Sequence, residues 1–375
     1  MQELKKKDLV RSLSSVEEKK GGKVTIQGKS CLDFSSNDYL GLSSHPLLKK
    51  RAQEFIEIYG VGSGASRLTC GNLSPYEEIE RKIARLKSTQ ASLVLSTGFQ
   101  ANSTLIPALA GSSSVLLIDR LAHNSSMQGA ILSRSKIVRY RHNDLGHLEQ
   151  LLHRHARSLP AFVITESVFS MDGDQCDLGL LGGIAKKYNA FVYVDEAHAT
   201  GVFGSEGEGL CVGKPVDLVM GTCSKALGAF GAFAACSQSL KDYLVNSCSG
   251  LIYSTALPPP VLGAIDAALD LIPLMKKERK QLFRHVERVQ RELKRQGWNL
   301  SSTTSPIIPL ILSEATKALL LSKKLWEKGI FAYAVRPPTV AAGTSRVRIS
   351  LSAAHTEEDI DYLISTLSTL AADFV

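Results

Sequence analysis

Two ionisable side chains directly follow short apolar runs near the middle of the chain. Asp195 comes after the run FVYV, and Lys225 lies a few residues beyond the next run, DLVM. The amine of a lysine can form a Schiff base with an aldehyde. A buried carboxylate can keep a ring nitrogen protonated, so that the ring accepts electrons from a carbanion. The pair suits a cofactor that carries both an aldehyde and a pyridine nitrogen, and pyridoxal 5'-phosphate (PLP) is such a cofactor.

Three earlier apolar runs are also followed by groups that fit a phosphorylated ring. LVL at 93–95 precedes Gly98, VLLI at 115–118 precedes His123, and AFVIT at 161–165 precedes a polar stretch that contains Ser170. Gly98 allows close backbone approach, and the helix start after it offers amide donors to a phosphate. Each group alone is more often a turn, a surface cation or a neutral histidine. Their shared position after strands predicts one cofactor site, because ligands of open α/β sheets bind at the carboxyl ends of strands.

The elements that must position these groups are a sheet and its covering helices. Continuous apolar runs alternate with helical stretches from about residue 90 to residue 236, which indicates an α/β fold with a mostly parallel sheet. Residues 258–297 begin with prolines and read as a long charged helix that ends at Gly297. A domain boundary is expected along this segment.

The remaining chain predicts a small α+β domain at the C-terminus. It contains strand-like runs at 306–312 and 346–352, with a helix through Leu325 between them, and a last helix that opens at Thr356. We expect an N-terminal segment at 1–40 that packs on the small domain, a large PLP-binding domain at 41–270 and the small domain at 271–375.

The net charge, the cysteine spacing and the length of the apolar runs limit the kinds of partner that this protein can be expected to bind. The formal net charge of +8 favours anionic ligands such as phosphate, carboxylate or coenzyme A. No basic run is interleaved with aromatic residues, so we expect no nucleic-acid partner. The seven cysteines form no C-x-x-C pair, which fits reduced thiols in the cytoplasm. No run is apolar and long enough for a membrane span or a signal peptide, so we expect no membrane partner.

Other nucleotide and metal motifs fail on their context. GVGSGA at 60–65 fits a dinucleotide pattern but follows a helix-like stretch instead of a strand, and the P-loop pattern is absent. His153 and His155 would diverge on a helix, so a charged helix surface explains them better than zinc. We expect no metal.

In combination, the motifs resemble the α-oxoamine synthases, a family of PLP enzymes with the aspartate-aminotransferase-like fold. The resemblance covers nearly the whole chain and includes NDYLGL at 37–42, GSGASR at 62–67, Gly98-Phe99 with Asn102, AHN at 122–124, VFSMDGD at 168–174, VDEAHATG at 194–201, Ser224-Lys225, IYST at 252–255, RPPT at 336–339 and RVRISLSAAHT at 346–356. The N-terminal region lacks the arginine cluster expected near a coenzyme A entrance, where Lys19, Lys20 and Lys23 would have to substitute.

The resemblance assigns a role to each matching residue. It implies that Lys225 forms the Schiff base, Asp195 pairs with the ring nitrogen, His198 hydrogen-bonds the phenolic oxygen and His123 stacks on the ring. The other implied cofactor contacts are Gly98, Phe99, Ser170, Thr222 and Ser224, with Ser254 and Thr255 reaching in from the second subunit of a homodimer. Asn37, Arg336 and Arg348 are the implied substrate residues, with Arg348 binding the amino-acid carboxylate.

The implied reaction is a decarboxylative condensation of an amino acid with an acyl-CoA. RPPT and SLSAAHT favour L-alanine and pimeloyl-CoA as substrates, which would give 8-amino-7-oxononanoate for biotin biosynthesis. Glycine-using relatives that make 5-aminolevulinate or 2-amino-3-ketobutyrate stay open as alternatives, as does a catalytically silent partner subunit. A further alternative concerns Arg346 and Arg348, which alternate along a strand and would form a surface row of cations if that face were exposed.

Overall fold

The computed structural model describes residue 2 and residues 8–375 of the chain. Residues 1 and 3–7, at the start of the predicted N-terminal segment, lie outside the described residues. The described chain divides into two compact units. We name residues 45–169 and 175–276 the sheet unit, and residues 1–44, 170–174 and 277–375 the terminal unit. The predicted bounds 1–40, 41–270 and 271–375 stay a prediction about domains.

Strands and helices alternate through most of the described chain. The strands are β1 (Val16–Lys20), β2 (Lys23–Ile26), β3 (Lys29–Asp33), β4 (Ala91–Leu95), β5 (Val115–Asp119), β6 (Lys136–Tyr140), β7 (Ala161–Glu166), β8 (Phe191–Asp195), β9 (Leu218–Thr222), β10 (Ala232–Cys236), β11 (Ile307–Ser313), β12 (Ile330–Phe331), β13 (Tyr333–Val335) and β14 (Ser345–Ser350). The α-helices are α1 (Pro46–Tyr59), α2 (Pro75–Lys87), α3 (Gly98–Leu109), α4 (Asn124–Leu132), α5 (Leu145–His155), α6 (Leu178–Lys187), α7 (Gln238–Ser247), α8 (Ser249–Ile252), α9 (Pro259–Leu271), α10 (Lys276–Arg295), α11 (Ala315–Glu327) and α12 (Glu357–Phe374).

The sheet unit is built on a seven-stranded sheet of order β4-β10-β9-β8-β7-β5-β6. β6, β5, β7, β8 and β9 pair in parallel, whereas β10 is antiparallel to both of its neighbours. Every residue of β4, β5, β9 and β10 is buried, as expected of strands covered on both faces. The predicted α/β class with a mostly parallel sheet is confirmed.

The terminal unit contains two smaller sheets. One has the order β1-β2-β3-β12 and the other β11-β14-β13, and the second is antiparallel throughout. Helix α12 begins as its sequence predicts, because the side chain of Thr356 accepts from Asp359 N and the Asp359 side chain accepts from Thr356 N.

The segment predicted as one long helix at 258–297 forms two. Helices α9 and α10 are separated by a 3-10 turn at Ile272–Leu274, whose central residue is Pro273. Proline lacks the amide hydrogen and its ring clashes with the preceding turn, so the helix is interrupted there. Within the described residues, no helix combines the length and the apolar character that a bilayer crossing requires.

Candidate active site

A cavity of about 250 Å³ opens in the sheet unit beside the carboxyl ends of its parallel strands. Its lining includes eight of the residues predicted to hold the cofactor: Gly98, Phe99, His123, Asp195, His198, Thr222, Ser224 and Lys225. They follow different strands of the sheet, so their meeting depends on the parallel order of those strands.

Lys225 and His198 are neighbours in this cavity. The Nζ atom of Lys225 lies 2.8 Å from Nε2 of His198. Lys225 follows β9 in the turn before Gly228, whereas His198 lies in the turn after β8. The amine that would form the Schiff base thus lies within hydrogen-bond distance of the ring predicted to contact the phenolic oxygen.

Asp195 ends β8 with both carboxylate oxygens held. Its Oδ1 accepts from the backbone N of Ala197 at 2.9 Å, and its Oδ2 accepts from Nδ2 of Asn102 at 2.8 Å. The residue is only 5% exposed. Neither contact neutralises the carboxylate charge, so the group is suited to a cationic partner such as a pyridinium nitrogen.

His123 precedes helix α4, and its side chain caps that helix. The Nδ1 atom lies 2.7 Å from Oγ of Ser125 and accepts from Ser125 N at 3.3 Å. Burial lowers the pKa of His123 below its ordinary value; the charge of Asp195 opposes this shift and that of Lys225 adds to it. The ring is therefore neutral near pH 7, and its predicted stacking on the cofactor stays a prediction.

Glu166 also lines the cavity, at the end of β7. Its Oε1 accepts from the backbone N of His123 at 2.5 Å. Burial raises the pKa of Glu166 well above its ordinary value, and the charge of Asp195 adds to the shift. The carboxyl group of Glu166 therefore favours its neutral form more strongly than an exposed glutamate does.

The phosphate end is marked by hydroxyls and by the start of a helix. Helix α3 starts at Gly98, and Oγ1 of Thr97 caps it by accepting from Gln100 N. Oγ1 of Thr222 and Oγ of Ser224 lie 2.7 Å apart on the same cavity wall. A helix start with adjacent hydroxyls is a donor set for phosphate, and a lysine and a buried carboxylate complete what PLP needs. The residues present therefore fit the predicted cofactor.

Three predicted cofactor residues do not line this cavity. Ser254 and Thr255 line a separate narrow cleft of the sheet unit beside Arg67 and Tyr76, and Oγ of Ser254 accepts from Gln100 Nε2 at 3.0 Å. Ser170 belongs to the terminal unit, where its carbonyl oxygen accepts from Arg348 Nε at 2.7 Å. Their cofactor roles stay predictions.

The terminal unit has a pocket of its own, of about 430 Å³. Three arginines line it, namely Arg11, Arg336 and Arg348, together with Ser35, Tyr333 and Thr339 among others. Arg11 donates to Oγ1 of Thr339 at 2.8 Å, and Arg336 donates to the carbonyl oxygens of Asp8 and Val10.

Arg348 is buried in a set of neutral acceptors. Its guanidinium donates to the carbonyl of Ser170, to Oγ of Ser350 at 2.7 Å and to Oδ1 of Asn37 at 3.0 Å. Arg346 differs, because it donates to the carboxylate of Asp172 at 2.6 Å. The two arginines are 7% and 5% exposed, so the interpretation as a surface row of cations is wrong.

Sequence reasoning assigned no role to four residues that the structure places at these pockets: Asn102, Ser125, Glu166 and Arg11. Asn102 was signalled by its position one helical turn after Gly98, which places both on one face of α3. Arg11 carried no comparable signal. Lys19, Lys20 and Lys23, the predicted substitutes for an arginine cluster near the coenzyme A entrance, do not line the terminal-unit pocket, and their role there stays a prediction.

Comparison with known proteins supports the resemblance. The family model for aminotransferase class I and II matches residues 29–367. An 8-amino-7-oxononanoate synthase of Gluconacetobacter diazotrophicus is 47% identical, with 100% of this chain and 96% of the relative covered.

Solved structures agree. A serine palmitoyltransferase of S. paucimobilis, solved with a PLP-myriocin aldimine, superposes with a TM-score of 0.95 at 28% identity over 99% of this chain and 96% of that one. An 8-amino-7-oxononanoate synthase of Francisella tularensis gives 0.80 at 27% identity, over 92% and 98% of the two chains. The chain therefore belongs to the aminotransferase class I and II family, as a PLP-dependent acyltransferase of the α-oxoamine synthase type.

Proposed function

We propose that this enzyme condenses L-alanine with pimeloyl-CoA to give 8-amino-7-oxononanoate, coenzyme A and carbon dioxide, in biotin biosynthesis. The observation that carries the substrate assignment is the terminal-unit pocket, whose three arginines have neutral hydrogen-bond partners among the described residues. Both proposed substrates carry a carboxylate, and a guanidinium that lacks an ionised partner is suited to bind one.

The residues of the cofactor cavity have different proposed roles, each set by the chemistry of its side chain or backbone. PLP, when bound, supplies an electron sink for the substrate carbon that bears the amino group. Asp195 would keep the ring nitrogen protonated, and Lys225 would hold the cofactor covalently through its aldehyde. Gly98, Phe99, Thr222 and Ser224 would bind the phosphate, while His123 and His198 would contact the ring and its phenolic oxygen.

Lys225 then acts as the proton carrier. Its freed amine removes the proton from Cα of alanine and receives it on Nζ. A carbon-carbon bond forms between Cα and the thioester carbon as the carbon-sulfur bond breaks and coenzyme A leaves. The bond to the carboxylate breaks next, carbon dioxide departs, and a proton returns to Cα.

Arg348 is proposed to bind the alanine carboxylate. A planar guanidinium can hold a carboxylate through two parallel hydrogen bonds, which fixes the Cα bonds that break. Its neutral neighbours Asn37, Ser350 and Ser170 orient the guanidinium without cancelling its charge. Asn37 is thereby proposed to assist substrate binding through Arg348.

Arg336 and Arg11 are proposed to bind the far carboxylate of the pimeloyl chain. This feature separates pimeloyl-CoA from palmitoyl-CoA, whose acyl chain ends in a methyl group and gains nothing from a cation. Glycine in place of L-alanine is the alternative substrate, since both amino acids have the carboxylate that Arg348 is proposed to bind.

We further propose a homodimer in the cytoplasm. Ser254 and Thr255 would contact the phosphate in the second copy, which is supported by their position outside the cofactor cavity of their own chain. Tyr253, beside them, is 86% exposed and Phe99 is 53% exposed, as apolar side chains in a subunit contact are when one chain is taken alone. None of the seven cysteines, all of which lie among the described residues, forms a disulfide, which suits a reducing compartment.

The proposal is tested with acyl donors that differ in one group. Pimeloyl-CoA and heptanoyl-CoA have the same chain length, but heptanoyl-CoA lacks the terminal carboxylate. We expect kcat/KM for coenzyme A release with L-alanine to be at least about 100-fold higher for pimeloyl-CoA, since a site built for a polar group rejects the analogue without it. Glycine and L-serine in place of alanine test the amino acid.

The Arg336→Gln variant tests the proposed contact with the far carboxylate, and heptanoyl-CoA serves as its control donor. It should lower the rate with pimeloyl-CoA and leave the slower heptanoyl-CoA rate unchanged. Equal losses with both donors would show that Arg336 binds coenzyme A itself, and equal wild-type rates with both donors would exclude recognition of the far carboxylate.

A further inference from the structure

A buried chain of hydrogen bonds connects the two sides of the cofactor cavity in the sheet unit. The hydroxyl of Tyr193 donates to Oδ1 of Asn102 at 2.7 Å. Nδ2 of Asn102 donates to Oδ2 of Asp195 at 2.8 Å and to Oγ of Ser125 at 2.9 Å. Oγ of Ser125 lies 2.7 Å from Nδ1 of His123.

Neighbouring donors and acceptors favour one direction for each hydrogen bond in this chain. Burial and the charge of Asp195 raise the pKa of Tyr193 well above its ordinary value, so its hydroxyl keeps its proton and donates. The ionised carboxylate of Asp195 can only accept, which makes its neighbour on Asn102 the amide nitrogen. That nitrogen has two hydrogens, and the second is directed to Ser125.

The protonation of the His123 ring follows from the same chain. The backbone N of Ser125 can only donate, and it approaches Nδ1 of His123. An acceptor at Nδ1 matches this contact, which favours the neutral ring that carries its proton on Nε2. Because Oγ of Ser125 already accepts from Asn102, its own hydrogen is free to donate to Nδ1.

We propose that Asn102 is a positioning residue whose one amide group orients the carboxylate of Asp195 and, through Oγ of Ser125, reinforces the Nε2-protonated tautomer of His123 that the backbone N–H of Ser125 favours. This inference rests on the assignment of Asp195 and His123 to the cofactor site. Asn102 and Ser125 are each 1% exposed, so both contacts are shielded from bulk water. Asn102 would thereby position two proposed cofactor contacts together, the carboxylate of Asp195 and the neutral ring of His123.

The tautomer is measured on the protein itself by nitrogen NMR of ¹⁵N-histidine-labelled samples, with and without PLP. The His123 signals are identified by their loss in His123→Gln, since the chain has nine histidines. In the wild type we expect Nε2 to carry the proton. Asn102→Ala should raise the Nδ1-protonated population about fivefold, the change that corresponds to one net hydrogen bond.

A second variant separates the two arms of the amide. Ser125→Ala should alter the tautomer of His123 but leave the pH titration of the cofactor absorbance, which follows the Schiff-base proton and is sensitive to the charge of Asp195, as in the wild type. Asn102→Ala should change both readouts, and adding Ser125→Ala to it should not shift the tautomer further. Tyr193→Phe keeps both amide donors and should preserve the tautomer.

Two results would overturn the inference. One is a wild-type His123 that carries its proton on Nδ1. The other is a tautomer that responds equally to Asn102→Ala and Tyr193→Phe, which would mean that altered packing is the cause. Neither measurement requires turnover, so failure of the alanine and pimeloyl-CoA assignment would leave this result standing.

Discussion

Each of the two pockets contains one ionisable side chain that we call unbalanced, because its hydrogen-bond partners among the described residues are all neutral: an aspartate in the sheet unit and an arginine in the terminal unit. In the sheet unit, Lys87 is fully buried against the carboxylate of Glu196 at 2.6 Å, so that pair is neutral overall. The hydrogen-bond partners of Asp195, its neighbour in sequence, are in the described part of the chain an amide and a backbone N–H, and neither carries a charge. In the terminal unit, Asp172 neutralises Arg346, whereas Arg348 has neutral acceptors.

This difference in counter-ions indicates which ligand charge each pocket is suited to bind. Neighbouring residues of the same type, Asp195 and Glu196 or Arg346 and Arg348, are distinguished by whether the protein itself supplies the counter-ion. A buried charge without one is costly unless a ligand completes it. The sheet unit is therefore matched to a cationic ring, and the terminal unit to carboxylates.

The largest expected effect comes from removing the covalent hold in the sheet unit. Lys225→Ala should lower kcat/KM by at least about 10³-fold, because it removes the amine that also carries the Cα proton. Coenzyme A release measures the loss, and the visible absorbance of the lysine Schiff base should vanish.

Lys187→Ala is the matched control for Lys225→Ala, since Lys187 is exposed and pairs with Glu149 on the helix surface. Borohydride reduction and peptide mapping should place the pyridoxyl group on Lys225. A modified peptide that contains another lysine would refute the assignment.

Sequence reasoning succeeded where side chains follow consecutive strands. Gly98, His123, Asp195 and Lys225 reach one cavity because parallel strands bring their carboxyl ends to one edge. The terminal-unit pocket combines Arg11, Ser35, Arg336 and Arg348 from widely separated segments. No periodicity encodes that meeting, so Arg11 was missed.

The sequence also did not predict which arginine has an ionised partner in the fold. The alternation of Arg346 and Arg348 placed them on one face of β14, but whether that face was exposed depended on tertiary packing. Their different partners, Asp172 and Asn37, come from distant positions and could be seen only in the structure.

Removing the unbalanced anion of the sheet unit should have the next largest effect. Asp195→Asn cannot hold the ring nitrogen protonated, while the phosphate contacts remain. We expect the rate of α-proton exchange of alanine to fall about 100-fold, with PLP still bound. Exchange in deuterated water, followed by proton NMR, measures this rate.

Asp217→Asn provides the control for Asp195→Asn, since Asp217 accepts from Val192 N at the opposite end of strand β8. Its exchange rate should match that of the wild type. Normal exchange in Asp195→Asn would remove the basis for treating its charge as the partner of the cofactor.

The unbalanced cation of the terminal unit is tested by comparing Arg348→Ala with Arg346→Ala. Arg348→Ala should weaken the binding of L-alanine to the holoenzyme by about 2 kcal/mol, the scale for losing a charge-assisted pair shielded from water. Arg346→Ala should weaken it much less, because Asp172 already occupies that guanidinium. Titration with L-alanine by absorbance distinguishes them, and equal small effects would point to Arg336 as the carboxylate ligand.

The smallest expected effect tests whether the terminal unit tolerates one more positive charge. His355 is 1% exposed, and burial lowers its pKa from 6.5 to about 4. Between these values the unfolded chain binds a proton at position 355 that the folded protein does not, so stability falls as the pH drops below about 6.5 and levels off below about 4. From pH 7 to pH 5.5 this residue should remove about 1 kcal/mol of unfolding free energy. Urea unfolding at the two pH values measures the change.

His355→Gln should lose about 1 kcal/mol of this pH dependence of the unfolding free energy. His153→Gln, on an exposed helix face, should keep the full dependence. An unchanged dependence in His355→Gln would show that other groups set the acid sensitivity of this unit.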